Sequence, residues 1–378
     1  MSRTVLLLAA LAVVVPVDAW AQLAASPPAS PPAPASAPAS TPASPGGQGP
    51  GPGAGQEPAP GRGGRGAGPA ATPAPIARTL ALSTVSHAVN DLERTVAFYR
   101  QVFGFQVLSP IGRPAISGAM DKLNNVSNAK YRLATVQLPS TGLLLRFSEA
   151  TSIERTSRSP RQTDPGQTLL RFLVTDLSVV VANLQRAGAQ FVNAAGAPVP
   201  APRSGAPGPF LARDPDGYLI EVARGEGSQA SNVGAAASPV LDVRLVMTTE
   251  DTDKKLAFYK DLLGMDVAPG MWTKAGTGAA EVRQSVTKEI GGPGRLLEFQ
   301  EFRNAGEKTP FRPRVYDPAA AMVSVIVRDL AAVVKLVQAA NLPIITAGAE
   351  PVAIGTVGSL KRIVVQDPDG TYVELVES

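Results

Sequence analysis

The chain has 378 residues, 35 Lys and Arg against 31 Asp and Glu, one His and no Cys. The small basic excess is spread out, without the Lys/Arg stripe and interleaved aromatics of a nucleic-acid groove, so no nucleic-acid partner is expected. Lack of Cys excludes disulfides, thiol nucleophiles and thiolate-held metals.

Residues 1–21 read as a secretory signal peptide: Arg3, the apolar run Val5 to Val15, then Ala19-Trp20-Ala21 before Gln22. That run is shorter than the roughly 20 residues a bilayer-spanning helix needs, so no membrane association is expected after cleavage. A periplasmic or extracellular location follows. Residues 22–79, mostly Ala, Pro, Gly, Ser and Thr, hold too little apolar surface to offset the entropy of ordering and read as a disordered tether. The run Gly61-Arg62-Gly63-Gly64-Arg65-Gly66 lies inside this tether rather than between a strand and a helix, so it is not a phosphate loop.

From residue 80 the pattern becomes that of a folded chain. A strand is expected over 82–89 and a helix over 91–103, started by Asp91 and ended by Gly104. Leu92, Val96, Tyr99 and Phe103 give the helix one apolar stripe. Strands follow near 105–109, 130–138 and 142–148. A second round has a strand over 168–175, a helix over 176–187, a short strand at 190–193 and strands near 209–213 and 218–223. Asp214-Pro215-Asp216-Gly217 is a tight turn in which Gly217 accepts positive φ.

The chain then repeats itself. Ala97-Phe98-Tyr99 and Gly104 return as Ala257-Phe258-Tyr259 and Gly264, each 160 positions later. Val174-Thr175-Asp176-Leu177 and the Asp-Pro-Asp-Gly turn return as Val327-Arg328-Asp329-Leu330 and Asp367-Pro368-Asp369-Gly370, each 153 positions later. Two steady offsets imply an internal duplication. The expected architecture is α+β: four βαβββ units forming two tandem domains, 80–225 and 240–378, joined by a linker at 226–239. Their curled mixed sheets would enclose a central cavity.

The strand-Asp-helix-Phe-Tyr opening, the Val-x-Asp-Leu step and the closing Asp-Pro-Asp-Gly-x-x-x-Glu resemble the vicinal oxygen chelate superfamily. It includes glyoxalase I, bleomycin-resistance proteins and extradiol dioxygenases. The resemblance implies a divalent metal held from the first, fourth, fifth and eighth strands of a domain. Carried onto this sequence, those positions are His87, Arg146, Leu169 and Glu221 in the first copy, and Met247, Glu298, Met322 and Glu374 in the second. Pairing across copies would instead group His87, Arg146, Met322 and Glu374. Neither grouping yields a full set of hard ligands: Met is a poor donor to such ions, and Arg brings a positive charge. Extradiol chemistry, which in the family uses two His and one Glu, is disfavoured most.

No firm cofactor is expected, and a divalent metal would rest on His87 and Glu374 alone. As catalytic candidates, His87 would face the cavity as a base, with Glu374 or Glu221 opposite; as an alternative, it is a pocket histidine without chemistry. Arg146 and Arg171 are the expected partners of the buried Glu residues. Met247 and Met322 would line the cavity with Tyr372 and Glu298, and Met271 and Trp272 could cap a ligand. The expected function is binding of a small organic molecule. A glyoxalase-type metal-dependent lyase or isomerase is the alternative. The oligomeric state is not legible.

Overall fold

Asp91 begins the first helix by accepting a hydrogen bond from the Arg94 backbone N–H, and Gly104 ends it with φ 76°. The stripe that includes Leu92, Val96, Tyr99 and Phe103 is buried. The same grammar recurs along the computed structural model, which describes residues 78–109, 111–137, 143–203, 208–225, 239–275, 278–292, 294–354 and 360–378. The expected leader, nearly all of the tether and nearly all of the 226–239 linker lie outside the described residues.

Four βαβββ units follow one another. The first is β1 (Thr79–Ala88), α1 (Leu92–Phe103), β2 (Gln106–Val107), β3 (Ala115–Ile116), α2 (Gly118–Asn124), β4 (Lys130–Gln137) and β5 (Leu144–Thr151). The second is β6 (Thr168–Val174), α3 (Leu177–Arg186), β7 (Gln190–Val192), β8 (Phe210–Arg213) and β9 (Leu219–Arg224). The third is β10 (Val240–Thr249), α4 (Thr252–Leu256) continued by a π-helical stretch at Ala257–Leu262, β11 (Val267–Ala268), β12 (Trp272–Lys274), β13 (Glu281–Thr287) and β14 (Leu297–Arg303). The fourth is β15 (Ala321–Val327), α5 (Leu330–Ala339), β16 (Val352–Ile354), β17 (Leu360–Gln366) and β18 (Tyr372–Glu377). Helix α2, capped by Ser117, was not expected from the sequence. Among the described residues no helix is long and apolar enough to cross a membrane.

The units pair first with fourth and second with third. One nine-stranded sheet runs β16-β17-β18-β15-β1-β5-β4-β2, with β3 on β4. The other runs β11-β13-β14-β10-β6-β9-β8-β7, with β12 on β13. At the centre of each, strands from distant units join antiparallel: β1 with β15, and β10 with β6. The connectors between units are tied reciprocally. Asp164 accepts from the Thr309 N–H, and Asp317 accepts from the Thr156 N–H.

One hydrophobic core takes residues from both sheets and from the helices. Its seam is visible at Phe103 of α1, which stacks on Phe172 of β6 with centroids 3.8 Å apart. Phe103 is fully buried. Phe103→Ala should therefore cost about 3–5 kcal/mol, read from urea denaturation followed by circular dichroism. A loss below about 1 kcal/mol would contradict a seam packed at this residue.

Candidate functional site

Each sheet turns one face to the shared core and the other to a cavity of its own, and strand alternation decides which side chains reach which. In the first sheet, Ser86 pairs with Arg146 on β5 and with Met322 on β15, Met322 with Tyr372, and Ser324 with Glu374. These residues share the face lining a cavity of about 330 Å³. Apolar walls come from Met120, Leu123, Leu133, Met322 and Ile354; the charged groups are Arg146, Arg362 and Glu374, and Ser86, Asn124, Tyr131, Thr135 and Ser148 are among the polar ones.

The charges here do not cancel. Glu374 is ion-paired with Arg362 at 3.0 Å and accepts a short hydrogen bond from Ser324. No hydrogen bond or ion pair joins Arg146 to another described residue. Burial lowers its pKa; the charge of Glu374 opposes that shift and Arg362 adds to it. Ser86 Oγ and Arg362 Nε also lack partners among the described residues. Tyr372 lies on this face, but its hydroxyl donates to the Pro313 carbonyl at 2.7 Å.

The second sheet repeats the arrangement with a different outcome. Arg171 Nε donates to Glu221 at 2.6 Å, and its Nη1 donates to Glu298 through a short ion pair. Gln162 Nε2 donates to Glu221 at 3.1 Å, and Arg244 pairs with Asp242. Glu221 also borders a cavity of about 310 Å³ with Gln162, Phe191 and Phe210. Here the guanidinium is held between two carboxylates: the sequence suggested Arg171 as the partner of a buried Glu such as Glu221, and Glu298 joins it.

His87 does not face Glu374. Ser86, His87 and Ala88 all border the first cavity, yet His87 pairs with Phe147 and Ala321, one step out of phase with the Ser86–Arg146 row. Its imidazole lies 4.3 Å from the Tyr218 ring and, at Nε2, 3.6 Å from Asp214 Oδ2. Met247 is displaced in the same way: it is fully buried in the shared core and accepts a contact from Tyr259 Oη at 3.3 Å, so it lines no cavity. The reason in both cases is the two-residue period of a strand, since a position chosen one residue off falls on the opposite face. Met271 is 82% exposed and Trp272 is stacked under Arg303, so neither caps a described cavity.

Residues at the strand positions expected to hold metal do not fit one. The cavity face presents Arg146, Met322 and a Glu374 already bound by Arg362. The described residues do place His87, Asp214 and Asp216 together, with one ligand atom from each within 4.8 Å of the others, so this buried group could hold a metal. Sequence reading treated the two aspartates only as a turn. Burial lowers the His87 pKa to about 3, whereas burial and the neighbouring Asp216 raise that of Asp214 to about 8. Arg362 was also missed: it lies on β17, a strand no motif marks.

Residues 81–222 match the family model described as Glyoxalase/Bleomycin resistance protein/Dioxygenase superfamily. This part of the chain is a vicinal oxygen chelate domain. No curated protein matches the chain. Among solved structures, glyoxalase I from Zea mays is 19% identical over 79% of this chain and 92% of that one, with a TM-score of 0.51. A mutant of the same maize enzyme, in another crystal structure, is 18% identical over 79% and 93%, also with a TM-score of 0.51. At such identity the likeness shows the fold and not the activity.

The two arginines should separate on substitution. Arg171→Met leaves Glu221 buried without a countercharge and Glu298 with only Arg244 at 4.0 Å, and should cost about 3–5 kcal/mol in urea denaturation. Arg146→Met breaks no ion pair and should change stability by less than about 1 kcal/mol. Equal losses at both positions would remove the distinction.

Proposed function

We propose that the chain is an exported binding protein for a small organic carboxylate, held in the cavity of the first sheet. The supporting observation is Arg146, a largely dehydrated guanidinium without a carboxylate partner among the described residues, in a chamber with apolar walls. A guanidinium in that setting favours a planar anion that it can grip through two parallel N–H donors. Ser86 Oγ supplies a further polar contact, while Met120, Leu123, Met322 and Ile354 suit an apolar body. Glu374 is neutralised by Arg362 and so repels such a ligand less than a free carboxylate would.

The reading as a metal-dependent lyase or isomerase draws less support. The cavity offers one carboxylate, already ion-paired, and the imidazole that borders it, His87, is directed at Asp214 and not at Glu374. The likeness to maize glyoxalase I is a likeness of fold. Glutathione-linked chemistry also suits an exported protein poorly, because that thiol is chiefly cytosolic.

Calorimetric titration with aromatic and aliphatic monocarboxylates, against their neutral amides, tests the reading. Carboxylates should bind, amides should bind at least about tenfold more weakly, and Arg146→Met should remove the difference. Equal binding of acid and amide, or binding unaffected by Arg146→Met, would reject it. Export has a separate test. Expressed with its leader in a bacterial host, the mature protein should be recovered outside the cytoplasm, with an N-terminus at Gln22 by Edman sequencing.

A further inference from the structure

The internal repeat provides a control for the buried His87 cluster. In the fourth unit, the turn Asp367-Pro368-Asp369-Gly370 holds a cation: Lys255 Nζ lies 2.6 Å from Asp367 and 3.0 Å from Asp369. Around it, Asp367 accepts from the N–H groups of Asp369 and Thr371 and from Tyr259 Oη, and Asp369 accepts from the Glu250 N–H. The second unit builds the same cradle. Asp214 accepts from the N–H groups of Asp216 and Tyr218 and from Tyr99 Oη, and Asp216 accepts from the Asn90 N–H.

Asn90 replaces Glu250 and Tyr218 replaces Thr371, but there the backbone N–H groups serve alike in both copies. Two further differences place other side chains beside the carboxylates. Thr95 stands where the other copy has Lys255, and His87 stands where it has Met247, each 160 residues earlier. The Thr95 hydroxyl donates to Asp216 but brings no charge. Among the described residues no Lys or Arg lies within ion-pair distance of Asp214 or Asp216, and Arg94 and Arg213 act on them only at longer range. Two carboxylates, each 5% exposed, thus share a site that has lost its ammonium. Independently, both nitrogens of His87 are buried and without a hydrogen-bond partner, and Nε2 is directed at Asp214.

We infer that His87, Asp214 and Asp216 form a structural site for a divalent transition-metal cation of the zinc or manganese class, taking the place that Lys255 fills in the other copy. Two carboxylates balance a divalent charge. Neutral imidazole and carboxylate oxygen together suit such ions. The hydrogen bonds from Tyr99, Asn90 and the turn N–H groups hold the carboxylate oxygens in place, as outer partners of metal ligands do. The site lies on the core side of β1, away from Arg146 and Glu374, and its role is to fasten the turn before β9 to the start of α1. It stands independently of carboxylate binding in the cavity.

Thr95→Lys with His87→Met copies the other unit's arrangement and tests the assignment. Full-length protein purified without chelator should carry close to one equivalent of zinc or manganese by plasma mass spectrometry. Dialysis against EDTA should lower its thermal midpoint, and Zn²⁺ or Mn²⁺ alone should restore it. H87M/T95K should bind neither ion and show a midpoint insensitive to EDTA. A metal-free wild type whose midpoint neither ion raises would overturn the inference, as would H87M/T95K binding metal like the wild type. Cobalt(II) titration of the wild type needs no folded variant: visible d–d bands support the site, and an unchanged spectrum refutes it.

Discussion

The antiparallel joining of β1 to β15 and of β6 to β10 determines everything else in the molecule. These pairs bring together segments that are more than half the folded chain apart in one case and adjacent units in the other. Once β1 lies beside β15, Ser86 and Arg146 of the first unit share a face with Met322 and Glu374 of the last. The first cavity can then not be assembled from a single copy of the duplication. The reciprocal clasps at Asp164 and Asp317 hold the crossing connectors that make this exchange possible.

Much of this was legible because it was local. Asp91, Asp176 and Asp329 mark helix starts, and Gly104 and Gly217 mark turns, since capping and positive φ are decided within a few residues. The pairing of units was not legible, since it rests on strand contacts between separate units, which for the first and fourth cross more than two hundred positions. Site residues were legible only to within one residue. His87 and Met247 were placed on the cavity side, whereas the strand period puts Ser86 on the cavity face and buries His87 against Tyr218. Arg171 was expected to partner a buried Glu because buried charges require partners, and it pairs with Glu221. Glu298, which also pairs with Arg171, was expected only at a metal position lining the cavity, and Glu374 pairs with Arg362 and not with the expected Arg146. The short helix α2 and Arg362 carried no signal of their own.

The duplication makes the molecule its own comparison, and the comparison turns on where positive charge is placed. In the second sheet Arg171 lies between two glutamates, so that cavity's charge is already compensated from within. In the first, Arg362 satisfies Glu374 and leaves Arg146 over. A folded chain gains nothing in stability from an uncompensated guanidinium in a dehydrated chamber, so its presence there argues for something that arrives from outside.

The same reasoning extends to the turns, with the sign reversed. Where Lys255 neutralises Asp367 and Asp369, the residue at the His87 position is a thioether and the cluster is complete. Where Thr95 replaces lysine, the single histidine of the whole chain stands beside the paired carboxylates. A hydrophobic residue there would pack against Phe147 and Tyr218 as well as an imidazole does, whereas only the imidazole adds a ring nitrogen directed at the carboxylates. Buried polar atoms left without partners are rare in folded proteins, and two on one ring beside two unpaired aspartates mark a place where a charge has yet to be counted.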